Sequence, residues 1–131
     1  MKQIFAFLML ACVSLAVAQS CVAQSFDNQS AAIAAAFNNR NGTALSDHFC
    51  TKVELVLPGV DNTYSKAQAK SLIVEFFNKT QPKAFEILHQ GSRANVSFII
   101  AQLTVASTAY RVNMLFKKEG ESLLIYQLRI E

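Results

Sequence analysis

Apolar and polar residues alternate along the second half of this chain, whereas the first half carries helical spacing. A period of two predicts β-strands, and recurrence at intervals of three and four residues predicts amphipathic helices. We predict four strands in the alternating half: Phe85–Gln90, Asn95–Ser107, Tyr110–Phe116 and Leu124–Glu131. Gly120 indicates the hairpin that joins the last two of them.

The first half predicts three helices. The first covers Ser25–Asn39, where Asn41-Gly42 is expected to provide a left-handed stop. A short second helix follows, with Leu45, His48 and Phe49 on one side. The third begins at Ser65-Lys66-Ala67-Gln68, a capping box in which serine and glutamine satisfy free backbone N–H groups, and it ends before Pro82.

One strand is predicted between the helices. Val53, Leu55 and Leu57 alternate with polar positions, Pro58-Gly59 ends the strand, and Asp61-Asn62 is expected to turn the chain. The order of elements predicts an α+β fold, in which helices pack on one face of a curved antiparallel sheet. We expect the helices to close the curved sheet into a cone, a shape that often keeps a pocket at its open end.

The last two strands predict a sheet with two unlike faces. One phase is aromatic and aliphatic, and includes Tyr110 and Tyr126. The other phase carries Arg111, Asn113, Gln127 and Arg129. We expect the first phase to pack on the helices and the second to face solvent or a partner, with Arg111 and Arg129 as candidate partner contacts.

The N-terminus has the pattern of a secretory signal peptide. Lys2 precedes an apolar run, and Ala16-Val17-Ala18 matches a signal-peptidase site. We predict a signal peptide over residues 1–18, with cleavage after Ala23 as the alternative, and one domain over residues 24–131. The protein is therefore expected to be periplasmic or extracellular, with no integral membrane segment in the mature chain. Acylation of Cys21, which would make a lipoprotein, remains an alternative.

Charge and cysteine content narrow the function classes. The chain has 12 basic and 9 acidic residues, and loss of Lys2 lowers its net charge of +3 by one. The basic residues are scattered rather than clustered, which argues against nucleic acid as a partner. Cys50 is expected to be a lone buried thiol, because Cys12 and Cys21 lie in or near the signal peptide.

The side chains that suggest chemistry are few. His89 shares the phase of Phe85 and Ile87, so we expect it on the inner face, either as a pocket acid or base or as a histidine bonded to the backbone. The remaining candidate pocket residues are Tyr64, Tyr110, Tyr126 and His48. Packing is the alternative for each of them. Their spacing does not resemble a zinc site, so we expect neither a metal nor a cofactor.

Several separated short motifs resemble one family. They are Tyr64-Ser65-Lys66-Ala67-Gln68-Ala69, Phe76-Phe77, Pro82-Lys83-Ala84-Phe85, His89-Gln90-Gly91-Ser92, Tyr110-Arg111-Val112 and Leu128-Arg129-Ile130-Glu131. Together they are similar to domain of unknown function 4783, a family of exported bacterial proteins within the superfamily that resembles nuclear transport factor 2 and cystatin. The resemblance implies a cystatin-like cone roll, export and a possible homodimer through a sheet face. It implies no catalytic residue.

Three functions follow as hypotheses. The first is a non-catalytic binding module for a small apolar ligand or a protein partner, because the core phase is aromatic and contains few titratable groups. The second is a small-molecule isomerase or dehydratase that uses a pocket histidine and tyrosine. Enzymes of this kind need paired ionisable groups, and the candidates here do not converge in the sequence. The third is a structural module that dimerises. A cone filled by side chains would argue against the enzyme and against a binding module that holds its ligand inside the cone.

Overall fold

The structure, a computed structural model, describes residues 20–93, 95–106 and 108–131, with side chains from residue 26 onward. The predicted signal peptide, residues 1–18, lies outside the described residues, as does the side chain of Cys21. The chain divides into two compact units, Met1–Ala31 and Ala32–Glu131. In the described part of the first, the Ser30 hydroxyl donates a hydrogen bond to the Asp27 carbonyl (2.9 Å).

Three helices and six strands make up the described chain. The helices are α1 (Ser20–Asn38), α2 (Gly42–Ser46) and α3 (Lys66–Thr80). The strands are β1 (Phe49–Leu57), β2 (Val60–Ser65), β3 (Ala84–Arg93), β4 (Val96–Val105), β5 (Thr108–Glu119) and β6 (Ser122–Ile130). In the described part of the chain, none of the helices is long and apolar enough to cross a membrane.

The strands form one curved sheet in the order β2-β1-β6-β5-β4-β3. The segment from β3 to β6 is an antiparallel meander, as predicted, and β1 pairs with β6 in parallel. The sequence reading missed β2. Asp61 and Asn62, which we expected to form a turn, lie within this strand. The turn is at Pro58-Gly59, where Gly59 has a φ of 86° that favours glycine.

Helix α3 and residues 32–38 of α1 lie against one face of the sheet, which we call the inner face. Phe37 of α1 lies against this face, stacked on Phe85 with ring centroids 4.2 Å apart and edge-on to Phe77 at 5.4 Å. Phe37 is fully buried, and Phe77 is almost so. Strands β1, β4, β5 and β6 contribute buried aliphatic residues to the same core: Val53, Leu55, Leu57, Ile99, Ala101, Leu103, Val112, Met114, Ile125, Leu128 and Ile130.

The ends of the helices follow local capping rules. The predicted capping box of α3 is confirmed, since the Ser65 hydroxyl accepts a hydrogen bond from the Gln68 N–H and the Gln68 side chain accepts one from the Ser65 N–H. The predicted stop of α1 is wrong in detail. Arg40 takes the left-handed conformation (φ 54°), and the Asn41 N–H donates to the Ala36 carbonyl. Asn41 then caps the start of α2.

Two long-range hydrogen bonds join the end of α1 to the start of β3. The Arg40 Nε donates to the Pro82 carbonyl (2.8 Å), and the Phe85 N–H donates to the Asn38 Oδ1 (3.0 Å). Both satisfy backbone groups where regular structure is interrupted. They hold Phe85 at the position where its ring stacks on Phe37.

Candidate functional site

A β-bulge in β3 determines where His89 points. Ile87 pairs with Ala101 and His89 pairs with Ile100, which leaves Leu88 as an extra residue. One extra residue reverses the alternation of side chains beyond it. His89 is therefore exposed on the face opposite the helices, with its ring 5.6 Å from that of Phe98. The prediction that His89 lies on the inner face is wrong for this reason.

A second bulge, in β6, does the same to Tyr126. Leu115 pairs with Gln127 and Phe116 pairs with Ile125, so Tyr126 is the extra residue. Ile125 is buried, whereas Tyr126 is half-buried and lies 5.6 Å from the Lys117 ammonium, which faces its ring. The prediction that Tyr126 shares the core phase is wrong. Its ring makes a cation–π contact instead.

The other two tyrosines are half-buried on opposite halves of the sheet. Tyr110 lies on β5 with its ring edge-on to Phe76 at 6.4 Å. Tyr64 lies on the edge strand β2, opposite Val53 of β1. In neither case does the structure bring the tyrosine next to His89, which lies on the other edge strand.

His48 precedes β1 and is half-buried. Burial lowers its pKa, Asp47 opposes that shift, and Lys66 adds to it. Its backbone carbonyl accepts a hydrogen bond from the Ile125 N–H (2.7 Å), which ties the start of β1 to β6.

Cys50 and Glu119 form a polar contact that the sequence did not reveal. The Glu119 carboxylate accepts hydrogen bonds from the Thr51 N–H and hydroxyl, where the pairing of β1 with β6 is interrupted. These bonds lower the pKa of Glu119. Burial, together with a hydrogen bond to Glu119, raises the pKa of Cys50 to about 11. The thiol stays protonated at neutral pH, which makes it a poor nucleophile.

The face away from the helices, which we call the outer face, carries two rows of side chains across all six strands. One row is His89, Ile100, Asn113, Arg129, Val56 and Asp61. The other row is Gly91, Phe98, Leu115, Gln127, Glu54 and Thr63. The sequence predicted Arg111, Asn113, Gln127 and Arg129 on this face, and the structure places them there.

The centre of the outer face contains a groove of about 320 Å³, which we call the outer-face groove. Its lining comes from three neighbouring strands: Phe98, Ile99, Ile100, Asn113, Met114, Leu115, Gln127 and Arg129. Ile99 and Met114 are fully buried, whereas Phe98, Ile100 and Leu115 are half-buried. An apolar floor with a few hydrogen-bonding side chains is typical of a binding site.

The two predicted partner-contact residues differ in their surroundings. Arg129 lines the outer-face groove, and its Nη2 lies 2.9 Å from the Glu131 Oε1. Arg111 lies opposite Glu131 through backbone hydrogen bonds, but outside the lining of the groove. This ion pair joins residues two positions apart in the chain rather than on neighbouring strands.

A second concavity, of about 520 Å³, lies on the exposed side of α3. It is lined by Thr43, Lys70, Ser71, Val74, Glu75, Asn78 and Lys79. Lys79 and Glu75 form an exposed ion pair (2.8 Å) that lowers the pKa of Glu75. Exposed pairs of this kind contribute little to stability.

The chain is similar in sequence and in structure to the proteins of one family. A family profile described as "Domain of unknown function (DUF4783)" matches residues 30–131. The chain belongs to the DUF4783 family. A DUF4783 protein of Bacteroides ovatus is 35% identical in sequence, with a TM-score of 0.72 over 76% of this chain and 91% of that one. No functionally curated protein matches the chain.

More distant structures share only the fold. One is a protein of Catenulispora acidiphila with a ketosteroid isomerase-like fold, in complex with trimethylamine (19% identity, TM-score 0.58, covering 78% of this chain and 82% of that one). Another is a cystatin-fold protein of Novosphingobium aromaticivorans (11% identity, TM-score 0.59, covering 79% and 95%). The predicted family and the cystatin-like α+β fold are therefore confirmed.

Proposed function

We propose that this protein is a non-catalytic binding module and that it binds through the outer-face groove. The observation that carries the proposal is the contrast between the two faces of the sheet. On the inner face, Phe37 and Phe85 are buried and stacked on each other, whereas the outer face has an apolar groove with hydrogen-bonding side chains. Neither concavity described above lies among the rings of the core.

The positions of the titratable groups support binding over catalysis. The candidate acid–base residues His89, Tyr64 and Tyr110 lie on different strands, and no hydrogen bond joins any two of them in the described part of the chain. General acid–base chemistry needs such groups within reach of one reacting atom. The isomerase hypothesis depended on His89 lying on the inner face, and His89 lies on the outer face.

Analysis of what the protein carries in its native host tests the proposal. We would purify the protein from that host and identify co-purifying small molecules by native mass spectrometry. Leu115→Glu puts a charge in the floor of the groove. Leu88→Glu is the matched control, because Leu88 is 56% exposed on an edge strand outside the groove.

We expect a bound molecule on the wild type and on Leu88→Glu, and its loss from Leu115→Glu. Circular dichroism would show that both variants are folded. A molecule retained equally by Leu115→Glu, or a wild type that is consistently empty, would contradict the proposal.

A second candidate function is self-association through the same face. Its support is the continuity of the two outer-face rows across six strands, with half-buried apolar side chains at their centre. A stable interface buries more than about 1,000 Å² in total, which calls for most of a sheet face. Sedimentation velocity would give a dimer for the wild type and a monomer for Leu115→Glu. A monomeric wild type at high concentration would exclude this candidate.

We further propose that the protein is exported, on the strength of the N-terminal sequence. Fractionation of the native host, followed by intact mass measurement, tests this. Export predicts a chain that begins after Ala18 or Ala23, or one that carries an acyl group on Cys21. A full-length chain in the cytoplasmic fraction would refute the proposal.

A further inference from the structure

We infer that the outer-face groove takes a small molecule with an apolar body and one carboxylate group. The inference rests on the proposed function and specifies its ligand. Among the residues that line the groove, Arg129 is the one with an ionisable side chain, and it is a cation. A cationic ligand would be repelled by Arg129, whereas an anion would complement it.

Arg129 has hydrogen-bonding capacity to spare. A guanidinium has five N–H donors in a planar fork that matches a carboxylate. The ion pair of Arg129 with Glu131 uses its Nη2, and the arginine side chain is 45% exposed. Glu131 also limits the net positive charge at this end of the groove, which favours a monoanion over a phosphate dianion.

Two amides stand beside the guanidinium. Asn113 lies directly across the β5–β6 pair from Arg129, and Gln127 is two residues away on the same strand and the same face. Neither side-chain amide bonds to another described group. The three side chains thus place hydrogen-bond donors along one wall of the groove, where they would orient a carboxylate.

The opposite part of the groove is apolar and held in place. Phe98 and Ile100 on β4 neighbour Leu115 on β5. The Phe98 ring lies over Gly91, where a Cβ atom would be only 3.1 Å from the ring Cζ, so the glycine allows this close contact. At about 320 Å³, the groove is at the small end of ligand sites, which range from roughly 300 to 1,000 Å³. It therefore suits a body of one or two rings, or a short acyl chain.

A pair of probes that share a body and differ in charge tests the inference. We would titrate the ¹⁵N-labelled protein with 1-naphthoate and with 1-naphthalenemethanol, and follow backbone amide shifts by NMR. Naphthoate is expected to shift the amides of residues 98–100, 113–115 and 127–129. It should bind about fivefold more tightly than the alcohol, the difference expected of one exposed ion pair.

Arginine variants separate the carboxylate contact from general attraction of anions. Arg129→Gln should remove the preference for naphthoate and leave the affinity for the alcohol unchanged. Arg111→Gln is the matched control, since Arg111 lies on the same face outside the groove lining, and it should change either affinity by less than about twofold. Salt should weaken naphthoate binding to the wild type and not to Arg129→Gln.

The possible results are distinct. Equal affinity for the two probes, an unchanged preference in Arg129→Gln, or shifts that map outside the groove would overturn the inference. If the affinities are equal but the shifts still map to the groove, the preference for a carboxylate is refuted and the groove is supported as a binding site. Failure of the proposed function shows separately, in the co-purification experiment with Leu115→Glu.

Discussion

Gly42 lies where the start of α2 approaches α3, and replacing it with alanine tests how closely these helices pack. A Cβ atom at Gly42 would lie 2.9 Å from the Val74 Cγ2, 3.1 Å from the Ile73 Cγ2 and 3.1 Å from the Val74 Cα. The last of these is a backbone atom, which cannot rotate away. Gly42→Ala therefore requires α2 to move by a few tenths of an ångström.

Two opposing effects set the size of the change. Alanine in place of glycine within a helix stabilises by roughly 0.5–1 kcal/mol. Overpacking a well-packed site costs about 1–3 kcal/mol. Because one of the contacts is to backbone, we expect overpacking to win and the free energy of unfolding to fall by about 1–2 kcal/mol.

Urea unfolding followed by circular dichroism measures this change, with Val74→Ala and the double variant completing a cycle. Val74→Ala removes the nearest atom, so it should reduce the cost of Gly42→Ala by about 0.5 kcal/mol or more. If Gly42→Ala is as stable as the wild type, or if the two substitutions are additive, the close approach of α2 and α3 is not rigid and the reasoning is refuted.

Three further predictions concern single side chains. Ser65→Ala should lower the free energy of unfolding by about 1 kcal/mol because α3 loses its cap. Ser71→Ala, on the exposed side of the same helix, should change it by less than about 0.5 kcal/mol. Equal effects of the two substitutions in urea unfolding would argue against the cap. Phe37→Ala should lower the free energy of unfolding by about 3–5 kcal/mol because Phe37 is fully buried. A melting temperature close to that of the wild type would show that Phe37 does not belong to the core. Glu119→Gln weakens the bonds to Thr51. Because the fold lowers the pKa of Glu119, its carboxylate stabilises the protein above pH 4.5 and loses this contribution as the pH falls further. The variant should therefore be less stable than the wild type at pH 7 and approach it in acid, and a stability difference independent of pH would count against the contact.

The local features of this chain were predictable because their causes are local. The Ser65 cap of α3, the end of β5 at Gly120 and the alternation of Val112, Met114 and Phe116 each depend on residues within a few positions. The outer-face positions of Arg111 and Arg129 followed from the same alternation. These features sufficed to predict the α+β fold, whereas the family was recognised from the separate short motifs that resemble it.

The face occupied by His89 and by Tyr126 was not predictable from alternation. In a strand, the face of a side chain depends on whether the count of preceding residues is odd or even. A bulge adds one residue to a strand and so reverses the count, as Leu88 and Tyr126 do here. No particular type of side chain identifies the added residue in the sequence. Which residue is left unpaired depends on the neighbouring strand, so only the pairing register reveals it.

The sequence by itself determined the helices, the meander and the presence of one apolar and one polar phase, because propensity, capping and periodicity act over a few residues. Only the tertiary structure decided that Phe37 stacks on Phe85 in the core, and that Phe98, Asn113 and Arg129 meet in one groove. These residues belong to three different strands, β4, β5 and β6. Their proximity depends on strand order and register, which are set by contacts between residues distant in the chain.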